Sequence, residues 1–234
     1  MTFAGIICTT ILLATAVMFE NENRKFFRVR KTAHAINVTG KGSDTAWNGA
    51  KPLSDFIYPW EKDTPPPTSF KSLHDDHWVY FLFEVEDDNI NIYVKSNEKK
   101  EAIRSDRVEL FFMTDAAMTT YYCLEMDPLA RVFDCRGTFY RKLETEWRWP
   151  EGEIEVKAYR GENEYSVEGK ISKKSLRELG ILKGDEMATG VFRADCIKLV
   201  DGDPDFRWIS WVDPKSPQPD FHIPQAFGVL KLEN

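Results

Sequence analysis

Arg107 and Glu109 are separated by one residue in Ser105-Asp106-Arg107-Val108-Glu109-Leu110-Phe111-Phe112. In an extended chain, residues two apart project to the same side. A guanidinium, a carboxyl and the Phe111 ring therefore share one face, and Val108, Leu110 and Phe112 share the other. An ion pair fixed beside aromatic area can hydrogen-bond a polar, ring-shaped ligand. The same alternation also suits a strand whose charged face is only solvated.

Other residues bear on that choice. Strand alternation in Arg207-Trp208-Ile209-Ser210-Trp211 sends Trp208 and Trp211 to opposite faces, one to the core and one outward. Asp213-Pro214-Lys215-Ser216-Pro217 follows at once, so Trp211 is expected at a loop mouth as the exposed member. Trp147-Arg148-Trp149 sets two indoles on one side of an extended segment, suited either to a second platform or to covering a sheet edge. Trp60 opens a proline-rich loop and is a further candidate for an exposed aromatic. His222, in Asp220-Phe221-His222-Ile223-Pro224, is placed to donate to a ligand hydroxyl, although a lone histidine also serves structure.

Metal chemistry has two sequence candidates. Asp201, Asp203 and Asp205 offer three alternating carboxylates, enough for a structural calcium, but without the glycine and terminal glutamate of a helix-loop-helix calcium loop. A solvated acidic turn accounts for them equally well. His74-Asp75-Asp76-His77 reads as a tight turn into the next strand, with no ligand required.

These side chains need a scaffold of strands. Segments 78–85, 107–113, 121–126, 131–136, 154–159, 165–171, 191–199, 207–212 and 227–232 read as strands separated by turn residues, with a shorter one at 36–40. Residues 173–179 form the one predicted helix, with Ser172 as its N-cap and Gly180 to end it. Many short strands, one helix and no βαβ rhythm predict an all-β fold, an antiparallel β-sandwich. Trp47 is expected in its core.

With 234 residues and 13% aromatics, the chain is long enough to bury a full core. A net charge of -7 argues against nucleic acid as a partner, because that binding rests on Lys and Arg neutralising phosphates. Residues 3–13 form an apolar run followed by Ala14-Thr15-Ala16, a cleavage-like pattern. Residues 1–16 are thus expected to be a signal peptide or anchor, 17–25 a linker and 26–234 the folded domain. Export to the periplasm, outer membrane or medium follows, and membrane contact is expected only through this segment if it stays uncleaved. Cleavage would leave Cys123, Cys135 and Cys196; a hairpin about residues 127–130 could bring the first two together as a disulfide or as buried thiols.

Taken in order, Gly40 with Asp44-x-x-Trp47, Val79-Tyr80-Phe81, Ser105-Asp106-Arg107-Val108-Glu109 with the hairpin after it, and Pro224-x-x-Phe227-Gly228 resemble carbohydrate-binding module family 9. More closely, the chain resembles the family-9-like, xylanase-associated proteins of polysaccharide-degrading bacteria. The resemblance spans residues 29–232. It implies an immunoglobulin-like or jelly-roll sandwich without catalytic activity that binds an oligo- or polysaccharide, often with structural calcium and no other cofactor. It also implies a reducing-end sugar held between two tryptophans.

On that resemblance, Glu109 and Arg131 match the polar sugar contacts and Trp211 matches the later stacking tryptophan. The earlier one would precede Asp106, where the chain reads Glu101-Ala102-Ile103-Arg104. Arg104 is carried as a polar candidate, and Trp60, Trp149 or Trp208 would have to supply a second platform. Two alternatives stand beside sugar binding. One is a sandwich scaffold that has lost its site; the other is a xylanase-type glycoside hydrolase using Asp106 with Glu109, or Glu125 with Asp127.

Overall fold

The computed structural model describes residues 24–234, so the expected signal segment lies outside the described residues. The strands in chain order are β1 (Phe26–Lys31), β2 (Thr68–His74), β3 (Trp78–Glu86), β4 (Arg107–Met113), β5 (Tyr121–Met126), β6 (Val132–Thr138), β7 (Lys142–Glu144), β8 (Ile154–Arg160) and β9 (Glu164–Ser172). Helix α1 (Lys173–Glu178) comes next, then β10 (Glu186–Val200), β11 (Asp203–Ser210) and β12 (Gly228–Glu233). Hydrogen bonds connect them in the order β7-β6-β5-β4-β10-β12-β1-β2-β3-β9-β8, with β11 forking from β10. β1 runs parallel to both its neighbours, β12 and β2, and the other pairs are antiparallel.

The sheet curls over so that its halves face each other. Leu110 and Phe112 of β4, Leu124 of β5 and Val191 of β10 belong to one buried cluster with Phe70 of β2, Phe81 and Phe83 of β3 and Val167 of β9. Each such side chain withdrawn from water contributes about 1.5–3 kcal/mol. A one-residue slip of β4 would bring Arg107 and Glu109 into this core, so the apolar alternation fixes its register. The result is the predicted all-β antiparallel sandwich with one short helix.

Local signals explain the helix. Ser172 Oγ accepts from the Ser175 amide at 2.9 Å, and Gly180, at φ +73°, ends the element in the left-handed region. Trp47 is buried, as expected.

The segment 36–40 is not a strand. The buried Glu168 carboxylate draws it into a loop, accepting from the Thr39, Gly40 and Gly42 amides at 2.8, 2.7 and 3.2 Å and from Trp47 Nε1 at 2.9 Å. Gly40 sits at φ +87°, and a Cβ there would lie 2.7 Å from the Ala158 carbonyl oxygen. Side-chain acceptance has replaced ladder pairing for these amides. Strands β1, β2 and β7 were not expected, because their polar residues mask the alternation.

Candidate functional site

β4 is buried on both faces: Arg107 is 4% and Glu109 1% exposed. The face expected to carry solvated charge is therefore the floor of a pocket. Register builds it. Glu109 lies opposite Glu125 of β5 on one side and Phe192 of β10 on the other. Arg107 lies opposite Ala194 of β10, which in turn faces Trp208 of β11. Directly opposed residues share a face, so both glutamates, the arginine and the tryptophan meet on one side of the sheet. Ala194 is small, and the Arg107 guanidinium reaches over it to 4.8 Å from the Phe206 ring and 5.5 Å from Trp208.

The segment before β12 forms the other wall. Phe221 stacks on Phe192 at 4.0 Å with the rings 7° apart. Its ring lies 5.8 Å from Trp208 and 5.4 Å from Trp60. Trp60 is held by its Nε1–H, which donates to the Ser216 carbonyl at 2.9 Å. Between them is a cavity of about 160 Å³ lined by Trp60, Arg107, Glu109, Glu125, Trp208 and His222, with Arg141 and Asp220 also contributing. Clefts for drug-sized ligands begin at about 300 Å³, so this one suits a single small ring. A larger groove of about 860 Å³ runs along the proline loop, but its charged side chains, Lys41, Glu84, Glu86 and Glu164, are exposed and form no buried floor.

The floor has unused hydrogen-bonding capacity. Arg107 donates through Nε to Glu125 Oε2 at 2.7 Å and through Nη1 to the Ile103 carbonyl at 3.1 Å. Glu109 Oε1 lies 2.9 Å from the same Nε, off the N–H direction, and is buried without an aligned partner. Burial pushes the Glu109 carboxyl up to about 8; Glu125 adds to this and Arg107 opposes it. Glu109 is therefore largely protonated at neutral pH, able both to donate and to accept. Burial and then Arg141 push His222 down to about 4, leaving it neutral. Its Nδ1 shares a 3.0 Å hydrogen bond with Tyr121 Oη. Aromatic walls over a floor of hydrogen-bonding groups match a ring with apolar faces and hydroxyls at its edge.

Of the sequence-predicted residues, Trp60, Arg107, Glu109, Trp208 and His222 line this pocket. Trp211 does not. The parity reading of the two tryptophans holds, but the exposed one is reversed: Trp211 is 2% exposed and packs with Ile209 in the main core. Its ring lies against Gly228, where any side chain would collide with it. Trp149 is likewise core, donating through Nε1 to Ser175 Oγ at 3.1 Å. Arg131 is spent within the structure, on Asp127 at 2.8 Å, Glu101 at 2.9 Å and the Tyr93 carbonyl at 2.8 Å. Arg104 lies over Tyr93 and 3.5 Å from Asp203, away from the pocket.

The acidic candidates also move. Asp201, Asp203 and Asp205 are exposed and do not converge on a common point. Among the described residues, the three ligand-type side chains within 4.8 Å of one another are Asp87, Asp106 and Asp195, all buried. The Arg193 guanidinium already serves them, 2.9 Å from Asp87 and 3.4 Å from Asp195. Asp106 accepts the Asn91 and Cys196 amides at 2.6 and 2.7 Å. The protein supplies its own cation there in the Arg193 guanidinium.

The hydrolase pairs fare no better. Asp106 is in that interior cluster and Asp127 caps the β5–β6 turn, accepting the Leu129 and Arg131 amides at 3.0 and 2.9 Å. Glu109 and Glu125 sit on the same face and share the Arg107 Nε, at 2.9 and 2.7 Å, whereas glycoside hydrolysis needs two carboxyls flanking the scissile bond. The sequence reading missed Glu125 as a floor residue, and Phe221, Arg141 and Asp220 as walls. The strand periodicity at 121–126 could have indicated Glu125; the others follow only from tertiary folding. Cys123 and Cys135 are direct register partners, buried as free thiols.

Residues 38–234 match a family described as carbohydrate family 9 binding domain-like. No curated protein matches the sequence. Three solved structures share the fold, each 18% identical and covering 90% of this chain. A protein from Bacteroides uniformis, provisionally assigned as carbohydrate-binding, has a TM-score of 0.68 at 18% identity, with 90% of this chain and 100% of that one covered. A carbohydrate binding module family 9 domain from Caldicellulosiruptor kristjanssonii in complex with cellotriose has a TM-score of 0.60 at 18% identity, with 90% and 94% covered. Such a domain from the same organism in complex with glucose has a TM-score of 0.55 at 18% identity, with 90% and 96% covered.

Proposed function

We propose, from the premise that this chain belongs to the carbohydrate family 9 binding domain-like family, that its aromatic-walled pocket binds one sugar ring of a glycan without cleaving it. Trp60 and Trp208 offer apolar surface to the C–H faces of the ring. Glu109, Glu125 and Arg107 meet its hydroxyls. The observation that carries this reading is Glu109 Oε1, a buried polar atom with no aligned partner, at the floor of the pocket. An unsatisfied buried acceptor costs about 1–3 kcal/mol, and a sugar hydroxyl entering the pocket would relieve that cost.

The solved domains in complex with glucose and cellotriose support trying gluco-configured sugars first. Xylose and xylo-oligosaccharides are the second class, from the resemblance to xylanase-associated proteins. A role in polysaccharide breakdown outside the cytoplasm fits the expected export segment. Calorimetric titration of the protein with glucose, cellotriose, xylose and xylotriose tests the reading. Saturable heat without shorter products supports a binding module. No heat with any of the four sugars favours the non-binding scaffold.

A further inference from the structure

Phe139 and Tyr140 form the tip of the β6–β7 hairpin at the sheet edge, and each is 49% exposed. Two adjacent large aromatics in water are costly unless something covers them. They pack edge to face at 5.4 Å, and the hairpin is tied to the pocket. Tyr140 Oη donates to Asp220 Oδ2 at 2.5 Å, and Arg141 Nη2 donates to Asp220 Oδ1 at 2.8 Å. Asp220 Oδ1 also accepts the His222 amide at 2.9 Å. Asp220, Arg141 and His222 all line the sugar-ring pocket. The Tyr140 ring is thus held one hydrogen bond away from the pocket wall by a carboxylate that three donors share.

We infer that Phe139 and Tyr140 form a second subsite, a stacking platform for the next sugar ring of a chain whose first ring occupies the pocket. This rests on the pocket reading above and names its ligand class: oligosaccharides of two or more rings, preferred over the monosaccharide. Three features favour a sugar as the occupant. The platform is continuous with the pocket through Asp220, its aromatic surface is paired with polar edges in Tyr140 Oη and Arg141, and it is fixed before binding, so little side-chain entropy is lost on stacking. An aromatic contact of this kind is worth roughly a twofold to tenfold gain in affinity.

Calorimetry with glucose and cellotriose, on the parent protein and on Phe139→Ala, Tyr140→Ala and Tyr140→Phe, tests it, with xylose and xylotriose run in parallel. The parent is expected to bind the trisaccharide roughly twofold to tenfold more tightly than the monosaccharide. Either alanine change should erode that advantage and leave the monosaccharide affinity as it was. Tyr140→Phe keeps the ring, loses the bond to Asp220, and should keep the advantage. An advantage that survives both alanine changes overturns the inference. So does an equal loss for both sugars, since Tyr140 would then act only by holding the pocket wall through Asp220. If the parent binds neither sugar pair, the pocket reading fails first and takes the subsite with it.

Discussion

Glu109 and Glu125 are direct register partners across β4 and β5, and both carboxyls reach the Arg107 Nε, at 2.9 and 2.7 Å. Arg107 forms its aligned hydrogen bond with only one of them, Glu125. The other leaves its Oε1 without an aligned partner, open to a ligand. Burial disfavours the charged form, the Glu125 carboxylate beside it adds to this against Arg107, and together they keep the Glu109 carboxyl neutral.

A pH dependence follows. The Glu109 carboxyl is raised to about 8 when folded, against about 4.3 for a free glutamate. The unfolded state gives up this proton first, so the group lowers stability as pH rises through that window, and the effect levels off above it. Glu109→Gln, which cannot ionise, should gain in unfolding midpoint relative to the parent from about pH 5 to pH 8. A difference between the two that does not change with pH would show that Glu109 is ionised in the folded protein.

The two tryptophans of the 207–211 segment should separate stability from binding. Trp211→Ala opens a hole in the main core and should cost about 3–5 kcal/mol in a denaturant titration. Trp208→Ala removes a half-buried pocket wall, so its stability cost should be smaller while sugar affinity is lost. The opposite pattern would restore Trp211 as the ligand platform.

Glu168→Ala should destabilise the protein on the order of 3 kcal/mol, because several buried or half-buried donors lose one acceptor together. Glu168→Gln should recover only part of this, since its amide offers a single acceptor oxygen. Urea unfolding followed by tryptophan fluorescence checks both. An alanine variant as stable as the parent would mean that the 36–42 loop is held by something else.

His222 carries the opposite pH sign. Its folded value is lowered to about 4, against about 6.5 unfolded. The unfolded state therefore binds the extra proton first as pH falls, and the stability that neutral His222 contributes is full above about pH 6.5 and lost towards pH 4. His222→Gln lacks this slope. Parent stability minus variant stability should rise between those limits, and a flat difference would place His222 in solvent contact.

The fold was legible because β3 and β4 alternate cleanly and Ser172 and Gly180 bracket α1. The site was legible in part. Parity separates Trp208 from Trp211 but does not say which face the sheet will cover. Local loop position favoured Trp211, whereas packing against Gly228 buries it. Arg131 carries the right chemistry for a sugar contact, and nothing nearby in sequence reveals that Glu101, 30 residues earlier, will claim it. The roof over Glu109 comes from Trp60 and Phe221, on loops far from β4 in sequence; the proline-rich loop marked Trp60 as an exposed aromatic, but no local pattern placed either ring over β4.

The most direct measurement is a crystal structure of the protein grown with glucose or xylose. The account predicts one sugar ring between Trp60 and Trp208, with a hydroxyl within hydrogen-bonding distance of Glu109 Oε1. A ring ordered elsewhere on the protein, with the floor of this pocket unchanged, would contradict it.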